Sequence, residues 1–374
     1  MQIEKISIVN FKNFAQAELN LSAKINCFVG LNGVGKTNLL DAIYYLSFTK
    51  SYFNHIDTQN IRHSEDFFVI QGTYNVNDIK EEIYCGLKRN KNKVFKHNKK
   101  EYEKFSEHIG FLPAIMITPY DNSLILEGSE ERRKLIDSII SQYDKLYLHN
   151  LIMYKRILNQ RNTLLKQFFE KHYFDYSSLE IWDEQLIEIG NEIHQKRKEF
   201  LVEFLPIFQK YYNFISDKKE NVSLKYQSQL NETEFKTLLF ENLEKDKTLQ
   251  YTSVGIHKDD LTFKLDNFAL KKNGSQGQQK TFLISLKLAQ FDFIKNTKKI
   301  KPILLLDDIF DKLDNNRVEQ IIKLVSDDNF GQIFITHTNL EVMESILRKI
   351  NIDFSIFEIN DETVNKLIIN ESIN

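Results

Sequence analysis

The chain has 374 residues, with 50 Lys and Arg against 52 Asp and Glu, a formal net charge of −2 and 42% hydrophobic residues. That length buries a substantial core and allows two or three domains, while Cys27 and Cys85, the two cysteines, support no disulfide framework and fit a reducing cytoplasm. No apolar run approaches the ~20 residues of a membrane span, residues 1–21 alternate charged and apolar positions unlike a secretory leader, and the near-zero charge confines any nucleic-acid site to a local patch.

To about Pro119 the chain reads as short strands rich in β-branched and aromatic residues, among them IEKISIVNF, INCFV, FFVIQGTY and EEIYCGL. Between INCFV and the helical NLLDAIYYL lies GLNGVGKT, residues 30–37, which holds three of the chain's 12 glycines. A loop that curls its amides inward around phosphate oxygens needs backbone conformations that a Cβ obstructs. Gly30, Asn32, Gly33, Gly35, Lys36, Thr37 and Asn38 are therefore the expected nucleotide-binding residues. Lys36 reaches the β and γ phosphates, Thr37 offers a hydroxyl to Mg²⁺, and the following helix presents its positive N-terminus to the anion.

The densest basic stretch comes next, with Lys88, Arg89, Lys91, Lys93, Lys96, Lys99 and Lys100 interleaved with asparagines and Phe95. As a bare charge run it reads either as a solvated hairpin or as a phosphate-neutralising DNA contact. From Glu130 to about Tyr212 the spacing turns helical, which predicts antiparallel helices packed on one another and too few heptads for a long coiled-coil rod. Arg132 and Arg133, near the start of this region, fit either a basic contact or an internal ion-pairing site.

Strand-like segments resume near Val222. The sequence Asn273-Gly-Ser-Gln-Gly-Gln-Gln279 then opens a helix, and its Ser275, Gly277 and Gln278 form a second phosphate-seeking surface. One nucleotide does not need two such loops, so the second is expected to bind the nucleotide held by another subunit. PILLLDD reads as a buried strand ending in Asp307, a ligand for Mg²⁺. Asp308 is the candidate general base for the water that attacks the γ-phosphate. FDKLD follows, NRVEQIIKLV reads as a helix, and the strand QIFITH ends at His337, placed to sense the γ-phosphate. Parallel strands need crossovers, so the phosphate loop and PILLLDD can share one sheet across a helical insertion. The expected organisation is 1–120 as the first part of an ATPase domain, 121–245 as a helical arm and 246–374 as the second part.

This order resembles the ABC-type ATPase head, an α/β fold, with SQGQQ at the signature position, LLLDD as Walker B, FDKLD as D-loop and His337 as switch histidine. KISIVNFKNF, ITPYDNSLILEGSEERRKLID and GIHKDD extend the resemblance, over nearly the whole chain, to the RecF family of recombination and repair proteins. The resemblance implies ATP and Mg²⁺ as cofactors, slow hydrolysis, an ATP-dependent homodimer, and binding to double-stranded DNA and single/double-strand junctions. It further implies work with RecO and RecR, and through them RecA, in the cytoplasm with no membrane. The family usually has GPHRDD where this chain has Ile256 and Lys258, so a lysine point charge replaces a planar fork. Asp308 is shorter than the glutamate common in the superfamily, which fits slow turnover. A free-standing ATPase of SMC or overcoming-lysogenisation type with a protein partner, a transporter subunit and a small-molecule kinase are the competing classes. The first lacks its long coiled coil or nuclease domain, the second does not explain the insertion between Thr37 and Ser275, and the third leaves SQGQQ and His337 without a task.

Overall fold

The computed structural model describes residues 1–218, 220–309, 329–348, 353–360 and 363–367. FDKLD and the whole of NRVEQIIKLV lie outside the described residues. The chain divides into two compact units, 1–120 with 290–374 and 121–289.

The first unit contains two sheets. Alternating burial along Gln2–Phe11 and Phe67–Val76 puts one face inward, as expected of half-covered antiparallel strands. They sit inside a six-stranded antiparallel sheet with Phe14–Asn20, Ile79–Lys88, Val94–His97 and Lys100–Glu101. The second sheet runs Thr363–Leu367, Phe354–Asn360, Ile25–Val29, Ile333–His337, Ile303–Leu306 and Ala114–Ile117. All its pairs are parallel except that of the edge strand Thr363–Leu367. Ile25–Val29, Ile303–Leu306 and Ala114–Ile117 are buried along their whole lengths, which is why each reads as a continuous apolar run. Helix Lys36–Phe48 and the facing sides of both sheets share one core that includes Ile6, Phe11, Leu40, Phe68, Leu305 and Phe334.

The second unit is built on the helices Ser129–Tyr143, Lys145–Lys171 and Tyr176–Ile215, with Asp144 and Asp175 capping the latter two. Two arginines are fully buried among them. Arg161 pairs with Asp183 at 2.5 Å and Asp246 at 2.7 Å, and Arg197 with Asp137 at 2.8 Å and Asp259 at 2.7 Å. A small sheet orders Phe268–Ala269, Asp260–Leu265 and Val222–Gln227. The expected boundary at 245/246 is corrected by this sheet, because Val222–Gln227 and Asp260–Leu265 hydrogen-bond across it in the register Leu261 to Tyr226 and Phe263 to Leu224. The division falls instead within helix Gln276–Lys298, at Ala289.

Candidate functional site

Strand Ile25–Val29 delivers the chain into loop 30–37, and helix Lys36–Phe48 begins within that loop. Gly30 has φ +153°, and a Cβ there would stand 2.4 Å from the Ile359 carbonyl oxygen, so the strand can turn into the loop only as glycine. The loop lines a cleft of about 900 Å³ in the first unit, with Asn32, Gly33, Gly35, Lys36, Thr37 and Asn38 on one wall and Asp307, Asp308 and Thr336 on another.

Lys36 Nζ donates to the carbonyls of Gly30 at 2.8 Å and Leu31 at 2.7 Å, so the ammonium is folded against its own loop. Burial lowers its pKa, opposed by the nearby Asp308 and Asp307 carboxylates. Thr37 Oγ1 donates to Asp307 at 2.8 Å and 2.9 Å from its two carboxylate oxygens, joining residues 270 positions apart. Thr336 donates a further bond to Asp307 Oδ1 at 2.7 Å and accepts one from the Asp308 amide at 2.9 Å. Burial raises the Asp307 pKa, against hydrogen bonds from Thr336 and Thr37 that favour its ionised form. Asp308 takes φ +47°, the left-handed region that aspartate tolerates better than most side chains, directly after the strand. His337 ends the neighbouring strand opposite Val29, and its Nδ1 lies 2.9 Å from the Asn339 amide nitrogen. Its carbonyl accepts from the Gly30 amide at 3.3 Å.

A hydroxyl and a buried carboxylate meeting at this distance fit Mg²⁺, which takes one or two carboxylates and completes its shell with water and phosphate oxygens. Among the described residues no group of three or more His, Cys, Asp and Glu could build an all-protein metal cage.

Ser275, Gly277 and Gln278 belong to the second unit, at the start of helix Gln276–Lys298. Ser275 and Gln278 form a reciprocal capping box: the Ser275 amide donates to Gln278 Oε1 at 2.8 Å, and the Gln278 amide donates to Ser275 Oγ at 3.2 Å. The S-x-x-Q spacing was visible in the sequence, which read these residues for phosphate alone.

The basic stretch does not present one face. Lys88, Arg89, Lys91, Lys99 and Lys100 are exposed around two hairpin turns, while Lys96 lies over the Tyr84 ring at 5.7 Å. Lys93 turns inward, donating to Asp57 at 2.6 Å and to the Thr49 carbonyl at 2.6 Å, so it holds the hairpin rather than a ligand. Arg89 reaches the nucleotide-loop cleft, beside His63 and Gln59. Arg132 and Arg133 are internal partners within the second unit. Arg132 pairs with Asp260 at 2.6 Å, and Arg133 donates to the Asp259 carbonyl at 2.7 Å. Lys258 takes no part in these pairs and stands over the Tyr251 ring at 5.0 Å.

Sequence reading missed Asn13 and Lys12. They form the turn between Gln2–Phe11 and Phe14–Asn20, and Lys12 pairs with the buried Asp41 of helix Lys36–Phe48 at 2.5 Å. Their signal was the N-F-K-N segment, whose hairpin-turn character gave no hint of a partner some 20 residues away.

The model of the RecF/RecN/SMC N-terminal domain matches residues 2–360. The chain is 54% identical to the DNA replication and repair protein RecF of Bacteroides thetaiotaomicron, covering 98% of this chain and 99% of that one. It is 53% identical to the protein of the same name from Flavobacterium johnsoniae over 96% and 100% of the two. A solved structure of the recombination mediator protein RecF with ATP, from the RecFOR pathway, superposes with a TM-score of 0.88 at 31% identity over 98% of both chains. The Smc head domain of Pyrococcus furiosus superposes with a TM-score of 0.57 at 17% identity, a likeness of fold alone. Both likenesses fit an ABC-type ATPase head.

Proposed function

The chain belongs to the RecF family of DNA replication and repair proteins, and from that membership we propose that it is an ATP-gated DNA-binding factor of recombinational repair. The observation that carries the reading is the meeting of Thr37 and Asp307 beside Lys36, which joins a phosphate loop to the carboxylate that ends a buried strand.

ATP enters the cleft and draws Lys36 Nζ from the carbonyls of Gly30 and Leu31 to its β and γ phosphates, because an ammonium gains more from an anionic oxygen than from a neutral one. Thr37 and Asp307 would hold Mg²⁺, which would supply neutralisation of phosphate charge in the transition state. Asp308 accepts the proton of the attacking water, and His337 donates toward the γ-phosphate oxygens, so that ATP and water become ADP and phosphate. The shorter Asp308 side chain makes this turnover slow. Ser275, Gly277 and Gln278 of a second copy engage the same nucleotide, which makes ATP the condition for a homodimer and its hydrolysis the release. Exposed lysines of the 88–100 hairpins contact DNA phosphates in duplexes and single/double-strand junctions. The partners are RecO and RecR, through which RecA is loaded, and the compartment is the cytoplasm.

Fluorescence anisotropy of labelled duplex and gapped DNA, with ATP, ADP or no nucleotide, tests this beside light scattering for mass. DNA binding and a doubled mass that both need ATP and vanish in Lys36→Met are the expected results. Intact ATP binding without DNA binding under any nucleotide would move the protein to the protein-partnered ATPases. Replacing Lys91, Lys99 and Lys100 with alanine is expected to flatten the slope of log affinity against log salt by about 2 to 3.

A further inference from the structure

We propose that Asn13 is a positioning residue for the phosphate loop, setting through Val34 the direction of the Gly35 amide. Its Nδ2 donates to the Val34 carbonyl at 2.9 Å, and its Oδ1 accepts from Asn38 Nδ2 at 2.7 Å. A carbonyl can only accept, so the amide must turn Nδ2 to Val34 and leave Oδ1 for Asn38. The peptide joining Val34 to Gly35 is planar and trans, with its C=O and N–H on opposite sides. A Val34 carbonyl held toward Asn13 therefore sends the Gly35 N–H the other way, from a residue that lines the cleft. In the same way Asn38, in the first turn of helix Lys36–Phe48, is held by the side chain that orients the loop before it.

Gly35 carries the complementary half of this fit. Its φ of +109° suits glycine, and a Cβ there would stand 2.4 Å from Asn13 Nδ2. Asn13 is itself fixed from outside the loop. Its carbonyl accepts from Arg62 Nε at 3.3 Å, the Lys12 amide donates to the Asn60 carbonyl at 2.8 Å, and Lys12 is anchored on Asp41. The N-terminal hairpin thus acts as a brace on one side of the loop, and preorganised donors need no rearrangement when the anion arrives.

This inference rests on nucleotide binding in the cleft and not on dimerisation or DNA. Its test is the affinity of the full chain for a fluorescent ATP analogue, with the melting temperature measured without nucleotide. Asn13→Asp keeps the size and the acceptor for Asn38 but sets a carboxylate against the Val34 carbonyl, at a residue that does not itself line the cleft. It is expected to weaken ATP binding by about tenfold or more while the nucleotide-free protein still melts in one cooperative transition. ATP binding within about twofold of wild type would overturn the proposal. If Asn13→Asp does not fold, the cycle of Asn13→Ala, Asn38→Ala and the double variant decides: losses that fail to add support the shared role, and additive losses overturn it. Lys36→Met is the control on the underlying reading, since undiminished ATP affinity there would sink the site assignment itself, whatever Asn13 does.

Discussion

Asp307 is held in tension between two requirements. Burial raises its pKa, so folding penalises the charge of this carboxyl, while a magnesium site needs the carboxylate. A carboxyl whose folded pKa is raised contributes stability that is full below its unfolded value and lost as pH climbs through the folded value. Replacing the charge by an isosteric amide should then stabilise the empty protein at neutral pH and disable the reaction. Asp307→Asn is expected to melt higher than wild type by calorimetry without nucleotide and to hydrolyse ATP on the order of a hundredfold more slowly. A lower melting temperature would mean that hydrogen bonds from Thr37 and Thr336 to the ionised form outweigh its desolvation. At this scale the sequence was legible where chemistry is concentrated in a short run, as in GLNGVGKT and LLLDD. It was not legible for Asn13, whose partners Val34 and Asn38 follow a strand of the other sheet and share no strand pairing with it, nor for Lys93, whose inward turn follows from its contact with Asp57.

Helical spacing predicted the antiparallel helices of the second unit, because apolar stripes are written locally. What holds their polar interior is not local. Arg161 on one helix donates to Asp183 on the next and to Asp246 and Thr252 far beyond, and Arg197 to Asp137 and Asp259. The 245/246 boundary failed for the same reason, since strand pairing across it carries no sequence mark. The segment Gly255 to Asp260 closes this interior, and its His257 is the titrating part. Tyr154 Oη lies 2.9 Å from Nδ1 and the Thr252 carbonyl 3.0 Å from Nε2, so the ring fits as a neutral imidazole that accepts from the tyrosine and donates to the carbonyl. Burial pushes its pKa down from 6.5 to about 4. Between those values the unfolded chain binds a proton that the folded chain refuses. Stability is therefore full above pH 6.5 and falls as pH drops toward about 4. His257→Gln should flatten that acid limb in urea melts run at successive pH values, at some loss of stability near neutrality. An unchanged limb would assign the acid sensitivity to other groups.

The first unit is assembled from both ends of the chain. Ile25–Val29 lies between Ile333–His337 and Phe354–Asn360, so the phosphate loop has its sheet only after the whole insertion has been made. The Ser275 loop, by contrast, lies in the second unit, and within one copy its amide donates to Gln278 Oε1 while its hydroxyl oxygen accepts from the Gln278 amide. Use of the loop's two amides for a nucleotide must first break the bonds between Ser275 and Gln278, a cost that a lone copy does not recover unless phosphate is brought to the loop. The phosphate loop should accordingly bind ATP in dilute protein, and the Ser275 loop should matter only when copies meet. Ser275→Arg is expected to keep ATP affinity within about twofold of wild type at nanomolar protein. The same variant should lose the mass doubling with ATP and the rise of ATPase rate per subunit with protein concentration. If its turnover still rises with concentration as in wild type, the shared site is not built from this loop. If ATP affinity is lost in dilute protein as well, the loop serves the nucleotide of its own copy, and ATP would gate the molecule without needing a second one.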